Sequence, residues 1–261
     1  MNIPRKIGAV LCAVFVLAAL VSIVWTPHSP FVMDAAVRFA SPSPGHPFGT
    51  DNFGRDVLSR AMVAVRYSLL FSAATVALSA FMGVAIGLAA AFVRHVAGLA
   101  VMRLVDAVNS IPVILLTLVL VNAADGSALG KTGVPLVLAM TVVFTPAFIR
   151  ITRNEAVKIK SMGYIDHARV LGAGKIRIMY AHILPNLVPS LGSTGIIVAV
   201  QSVMVESALS YLGFGIQPPL PSLGKMLFDA QGFLFRAPWM AIFPAAMVAL
   251  LLCGLNYLKK H

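Results

Sequence analysis

Six uncharged apolar stretches, each near the length needed to cross a bilayer, constrain this chain more than any other feature. They fall at Ile7–Trp25, Tyr67–Val93, Ala107–Ala124, Thr132–Ile149, Ile183–Val205 and Ala237–Leu258. Hydrocarbon about 30 Å thick is crossed by ~20 helical residues, and a segment alone in lipid must satisfy its own backbone hydrogen bonds. Each stretch is therefore read as a transmembrane helix. The third extends back to near Met102, which places Arg103 and Asp106 at its end. A seventh uncharged run, Ser207–Gly224, contains Gly213, Gly215, Pro218, Pro219 and Pro221, which break a helix, so it is read as a loop. The expected fold class is all-α, polytopic, with six spans.

Composition supports this. The chain is 59% hydrophobic and 11% charged, against about 45–50% and about 25% in soluble domains. So few charges exclude a soluble enzyme, a disordered chain and a nucleic-acid binder. Cys12 and Cys253 both lie in apolar runs, so neither a disulfide framework nor a thiolate metal site is indicated. Arg5 and Lys6 precede the first run as they would in a signal peptide. Its 19 residues exceed the usual ~7–15, and no small-x-small cleavage site follows Trp25, so it is read as an uncleaved anchor.

An even number of spans puts both termini on one side. With both inside, 13 of the 20 Lys+Arg are cytoplasmic, including Arg5, Lys6, the cluster from Arg150 to Arg177, Lys259 and Lys260, against 7 outside. Positive charge accumulates on the cytoplasmic side, so the basic balance is a topology signal and requires no nucleic acid. The expected organisation is an N-terminal anchor with an external segment (1–66) and a five-helix core (67–261). That core carries a long cytoplasmic stretch at 150–182 and an outer Pro/Gly loop between Ser207 and Arg236.

Within the cytoplasmic stretch, Arg150–Lys160 reads as a polar continuation of the fourth span. Tyr164–Gly172 is a short helix candidate, with Asp166 in its first turn suiting the helix dipole and Gly172 suiting a C-terminal stop. A second short helix, Lys175–Ile183, leads to Pro185. Together they would form a knob projecting into the cytoplasm; on composition alone, a solvated connector is the better reading.

Few chemistry motifs stand out. Gly126-Ser-Ala-Leu-Gly-Lys-Thr132 has three residues between its glycines, one short of a phosphate-binding P-loop, and no strand precedes it. His28, His46, His95, His167, His182 and His261 are scattered through termini and loops without a chelating i, i+4 pair, so no metal site is expected. Asp106 is read as an ion pair with Arg103 one turn away. Glu206 borders the membrane, where a carboxylate is costly; it is either a path or gate residue or a span end reaching water. Gly83 and Gly87, one turn apart, are read as a helix-packing surface. No Ser/His/Asp or paired-carboxylate constellation lies within a span, so the chain is not expected to be an enzyme.

Spacing in the cytoplasmic stretch goes further. Asp166-His167-Ala168, three residues, Gly172, nine residues, His182, Ile183 and Leu184-Pro185 resembles the signature loop of ABC-importer permeases. Asp166-His167 stands where that family has Glu-Ala, and His182 where it has Ile; His-Ile-Leu-Pro-Asn, as at His182–Asn186, is usual in the peptide-importer branch. His46–Arg60, and Glu206–Pro219 with Pro221–Gly224 and Ala237–Trp239, are similar to that family's second permease in dipeptide, oligopeptide and nickel importers. The likeness covers roughly residues 46–257; the Gly-Asp-x-Leu-Arg-Asp-like tail common in the family is replaced by Asn256–His261.

The resemblance implies a type I ABC-importer permease fold in a bacterial inner membrane. It implies a second permease subunit, two ATP-binding subunits that hold the ATP so that this chain needs no cofactor, and an external substrate-binding protein. It implies that Tyr164, Asp166, Ala168, Gly172 and Pro185 couple the chain to the ATPase, and that peptides are the cargo. Nickel or a metal chelate is the alternative cargo; an ion channel or membrane-embedded enzyme is a remote one.

Overall fold

α1 (Ile3–Val24) carries the first apolar run, and residues 25–56 follow it to the start of α2 (Val57–Phe92). The computed structural model describes residues 3–93, 95–124 and 133–258. α2 starts at Val57 and not at Tyr67, because Asp56 caps it: Oδ2 accepts the Ser59 N–H at 2.8 Å. Its 36 residues reach ~54 Å at 1.5 Å per residue, beyond the ~30 Å of hydrocarbon, so it protrudes from the apolar layer. Apolar runs register only the lipid-immersed part of such a helix, and a boundary at residue 66 falls inside α2.

The third run is not one straight span. α3 (His95–Asn109) and α4 (Val113–Ala124) meet at a 91° bend. Pro112 lacks an N–H and disfavours helical geometry at Ile111, so the helix stops there. Among the described residues five helices are individually long and apolar enough to cross a bilayer, and the bent pair makes six where it is counted as one broken span and not as a re-entrant loop.

α5 (Val134–Lys160) follows Gly133, whose φ of +75° places it in the left-handed region, and continues past the apolar run to Lys160. α6 (Gly163–Val170) is the first short cytoplasmic helix. The second, α7 (Lys175–Arg177), is not separate: it passes through a π-turn at Ile178–Ile183 into α8 (Leu184–Tyr211). Pro185 and Pro189 lack N–H groups, and their rings crowd carbonyls four residues back. The widened turn, with the Leu184 N–H bonded to the Met179 carbonyl, accommodates that crowding.

The outer loop also carries more helix than its glycines and prolines suggest. α8 persists to Tyr211, and α9 (Leu223–Ala230) precedes a 3₁₀ turn at Gln231–Phe233 and α10 (Trp239–Leu258). The breakers concentrate between residues 213 and 221, and Ser222 then restarts the helix by accepting the Lys225 N–H at 3.1 Å. Among the described residues there is no β-strand, and the all-α class holds.

Three apolar clusters are strung along α2. Near its start, Val57, Ala61 and Val65 pack with Phe15 of α1, Leu223 of α9 and Leu251 of α10. At mid-length, Phe71 packs with Met140 and Phe148 of α5 and Val198 of α8. Toward its end, Leu88 and Ala91 meet Ile159, Ile165, Ile178 and Leu187. Gly83 and Gly87 seat α5 on α2: a Cβ at Gly83 would lie 2.3 Å from the Phe148 Cβ, and one at Gly87 2.7 Å from the Thr152 Cβ. The small-residue pair is thus a packing surface.

Candidate functional site: a knob, a buried carboxylate and a cleft

The knob stands at the far end of α2. α6 is anchored by Ile165, which is 0% exposed in the third cluster. It closes with Gly172 at φ +85°. The Ala173 N–H reaches the Ala168 carbonyl and the Gly172 N–H reaches Arg169, both at 2.9 Å, so a left-handed residue ends the helix and satisfies its last carbonyls. Nothing lies within 4 Å of where a Gly172 Cβ would be.

Asp166 pairs with Arg169 at 2.7 Å on the exposed face. Tyr164 faces His182 at 6.3 Å between ring centroids, and Asn186 sits 3.5 Å from the Tyr164 hydroxyl. The first coupling candidates on α6 are thereby brought to the base of α8, next to Pro185. Lys160 ties this end to α2 by donating to the Ala91 carbonyl at 2.7 Å.

The tip is apolar where water should favour polar groups. Val170 and Leu171 are each 87% exposed, with Ile176 and Tyr180 exposed beside Arg169, Lys175 and Arg177. Exposed apolar side chains beside basic ones are what an interaction surface would need. These side chains escaped sequence reasoning, which weighed the motif positions and not the residues between them.

Glu206 lies at the opposite end. It is 1% exposed, so it is not a span end reaching water. Oε2 accepts from Ser68 at 2.8 Å, Oε1 from Ser210 at 2.9 Å, and Ser207 stands 3.4 Å away. α8 continues past it and α9 covers it: a Cβ at Gly224 would lie 1.9 Å from the Ser207 carbonyl. Glu206 therefore joins α2 to the end of α8.

A cleft of about 560 Å³ opens between α4, α5 and α8, lined by Asn109, Val113, Phe144, Arg150, Asn154, Ile197 and Gln201. At its edge, Arg150 pairs with Asp106 at 2.7 Å. Arg103 is not the partner, because α5 brings a guanidinium to the carboxylate from another helix. Polar residues interrupting apolar runs, such as Gln201, were the available signal for this surface.

Two of the six histidines do not stay scattered. His28 and His46 meet Asp56, with imidazole centroids 4.4 Å apart. The near-match to a phosphate loop, Gly126–Thr132, lies outside the described residues.

Among the described residues the chain is all-helical and multi-pass, with an exposed knob at one end and a mostly apolar cleft, dotted with polar side chains, between its helices. The family described as "Binding-protein-dependent transport system inner membrane component" matches residues 83–261, and the chain belongs to it. It is similar to the dipeptide transport system permease protein of Haemophilus influenzae (32% identical over 260 residues, 95% of this chain and 86% of the relative). It is also similar to the di/tripeptide transport system permease of Pseudomonas aeruginosa (34% over 208 residues, 80% and 67%). A third relative is the glutathione transport system permease of Pectobacterium atrosepticum (33% over 261 residues, 97% and 84%). Among solved structures, the inward-facing MetNI methionine ABC transporter shares the fold: TM-score 0.53, 20% identity, 76% of this chain and 97% of that one. The protein is thus a type I ABC-importer permease component in the inner membrane, working with ATPase and substrate-binding partners, and not an enzyme.

Proposed function

We propose that this chain pairs with a second, different permease subunit to form the path for di- and oligopeptides. An external binding protein delivers the cargo, and two ATPase subunits drive the cycle and hold all the ATP. The observation that carries this is the knob. Its apolar tip has no partner of its own, and Ile165 joins it firmly to α2, α5 and α8. Docked in a groove of the ATPase, such a body transmits movement to the spans, provided the two ATPase states contact it differently.

In this reading Tyr164, Asp166, Ala168, Gly172 and Pro185 shape the docking helix and its joint to α8. The cleft at Asn109, Arg150 and Gln201 faces the path. Both termini are cytoplasmic, residues 150–182 with them, and residues 26–66 and 207–236 are outside. Residues 67–261 act as the transport core and residues 1–66 as anchor and external segment. The named cargo of the three relatives supports peptides over nickel. Glu206 gates the path indirectly, by holding the outer ends of α2 and α8 together, so Glu206→Gln lowers uptake while assembly persists.

Copurification of the ATPase with wild-type and Gly172→Leu permease at matched expression tests the proposal. The substitution meets open space, so the subunit folds; expected results are reduced ATPase recovery and loss of peptide uptake. Equal recovery with normal uptake overturns it. Alkaline phosphatase fused after residue 258 is inactive if the orientation is right.

A further inference from the structure

We infer that His28, His46 and Asp56 form a binding site for one divalent transition-metal ion of the Zn²⁺ type, at the start of α2. The three side chains come from different parts of the chain: the stretch after α1, the middle of the 25–56 segment, and the helix cap. One donor atom from each lies within 4.8 Å of the other two.

The spacing suits coordination. Around a tetrahedral ion with ligand bonds near 2.0–2.1 Å, neighbouring donors stand about 3.3 Å apart. His46 Nδ1 is 2.9 Å and His28 Nδ1 3.8 Å from the same Asp56 Oδ1, which brackets that separation. The His46 contact is an ordinary hydrogen bond, but the His28 one exceeds hydrogen-bond reach. Two rings turning the same nitrogen toward one carboxylate oxygen leave a centre for a third body. On binding, each ring presents Nδ1 as an acceptor and keeps its proton on Nε2, so two neutral imidazoles and one carboxylate hold the ion. His28 is 45% exposed at its side chain, so water completes the coordination.

The carboxylate is held before any ion arrives. Asp56 is 1% exposed at its side chain, and its other oxygen accepts from the Ser59 N–H at 2.8 Å and the Ser59 hydroxyl at 2.7 Å. The His28 backbone N–H in turn donates to the Ser59 hydroxyl at 3.0 Å, which fixes where this residue sits. Outer-sphere bonds of this kind orient ligands. The helix N-terminus disfavours a cation there, so the site depends on the Asp56 charge. Imidazole and carboxylate together suit Zn²⁺ better than Mg²⁺ or Ca²⁺. The ion would clip the 25–56 segment onto α2.

The test uses the untagged full chain in detergent, chelator-treated and titrated with Zn²⁺ alone. His28→Ala alters an exposed ring, and Asp56→Asn keeps a helix cap while removing the anionic ligand. One Zn²⁺ per wild-type chain is expected. Affinity should fall at least about tenfold in His28→Ala and further in Asp56→Asn; Co²⁺ should give a visible four-coordinate spectrum that both variants lose. No stoichiometric Zn²⁺ in the wild type, or binding unchanged in both variants, overturns the site. The readout involves no transport, so it stands or falls apart from the peptide-permease reading.

Discussion

The two ends of α2 are built in opposite ways. At its start, charged and polar groups are buried and, apart from the Asn52 Oδ1, mostly matched. Asp51 accepts the Phe53 and Arg55 N–H groups at 2.8 and 2.9 Å and the Arg55 guanidinium at 2.6 Å. Arg60 stands 3.8 Å from Asp51 and donates to the Pro30 carbonyl at 3.1 Å, and the Trp239 indole donates to the Thr50 carbonyl at 3.1 Å. At the other end, the knob is anchored by apolar side chains, the buried Ile165, Ile178 and Ile183, and carries its ion pair and apolar tip exposed. The first end meets most of its buried polar groups from within the chain; the second leaves large apolar side chains exposed. Stability and interaction are thereby separated along one helix, and the same kind of substitution should act differently at each end.

The largest effect is expected for Asp51→Ala. It leaves the buried Arg60 without its carboxylate, and breaking a buried pair costs about 3–5 kcal/mol. Thermal unfolding of the purified subunit should show a much lower midpoint; an unchanged midpoint would mean that the ionic network does not hold this end. Gly83→Leu comes next, since even its Cβ collides with Phe148, and overpacking of this kind costs roughly 1–3 kcal/mol. Reduced yield of folded subunit, measured by size-exclusion recovery, checks it.

Gly172→Leu sharpens the contrast. The same new side chain enters open space, so the folding cost is only the left-handed backbone, about 1 kcal/mol, while ATPase recovery and uptake are lost. If Gly172→Leu instead lowers yield as Gly83→Leu does, the knob is structural. The smallest effect is expected for Asp166→Asn, which removes an exposed i, i+3 ion pair worth at most about 0.5 kcal/mol. Its melting midpoint should match wild type, and any loss should appear in ATPase recovery alone.

Which parts were legible follows from the range of the forces involved. Apolar run length is a local property, and it located the spans apart from the Pro112 bend, where one residue turns a single run into two helices. Gly172 as a helix stop was legible because the left-handed requirement belongs to one residue, and Gly83 with Gly87 because helical spacing puts them on one face. The outer loop was only half legible: glycines and prolines mark where helix is excluded, but not that Ser222 restarts it.

By itself, then, the sequence determined the membrane-spanning character, the Gly172 helix stop, and the motif order that places the chain among importer permeases. Each is set by neighbours within a few turns. The tertiary structure alone decided that Asp106 pairs with Arg150, 44 residues away, that Glu206 is enclosed by a serine 138 residues away, and that His28 and His46 converge on Asp56. Such pairings depend on which helices pack together, and packing is chosen by the summed burial of many apolar side chains, which leaves no mark on the few polar residues it brings into contact.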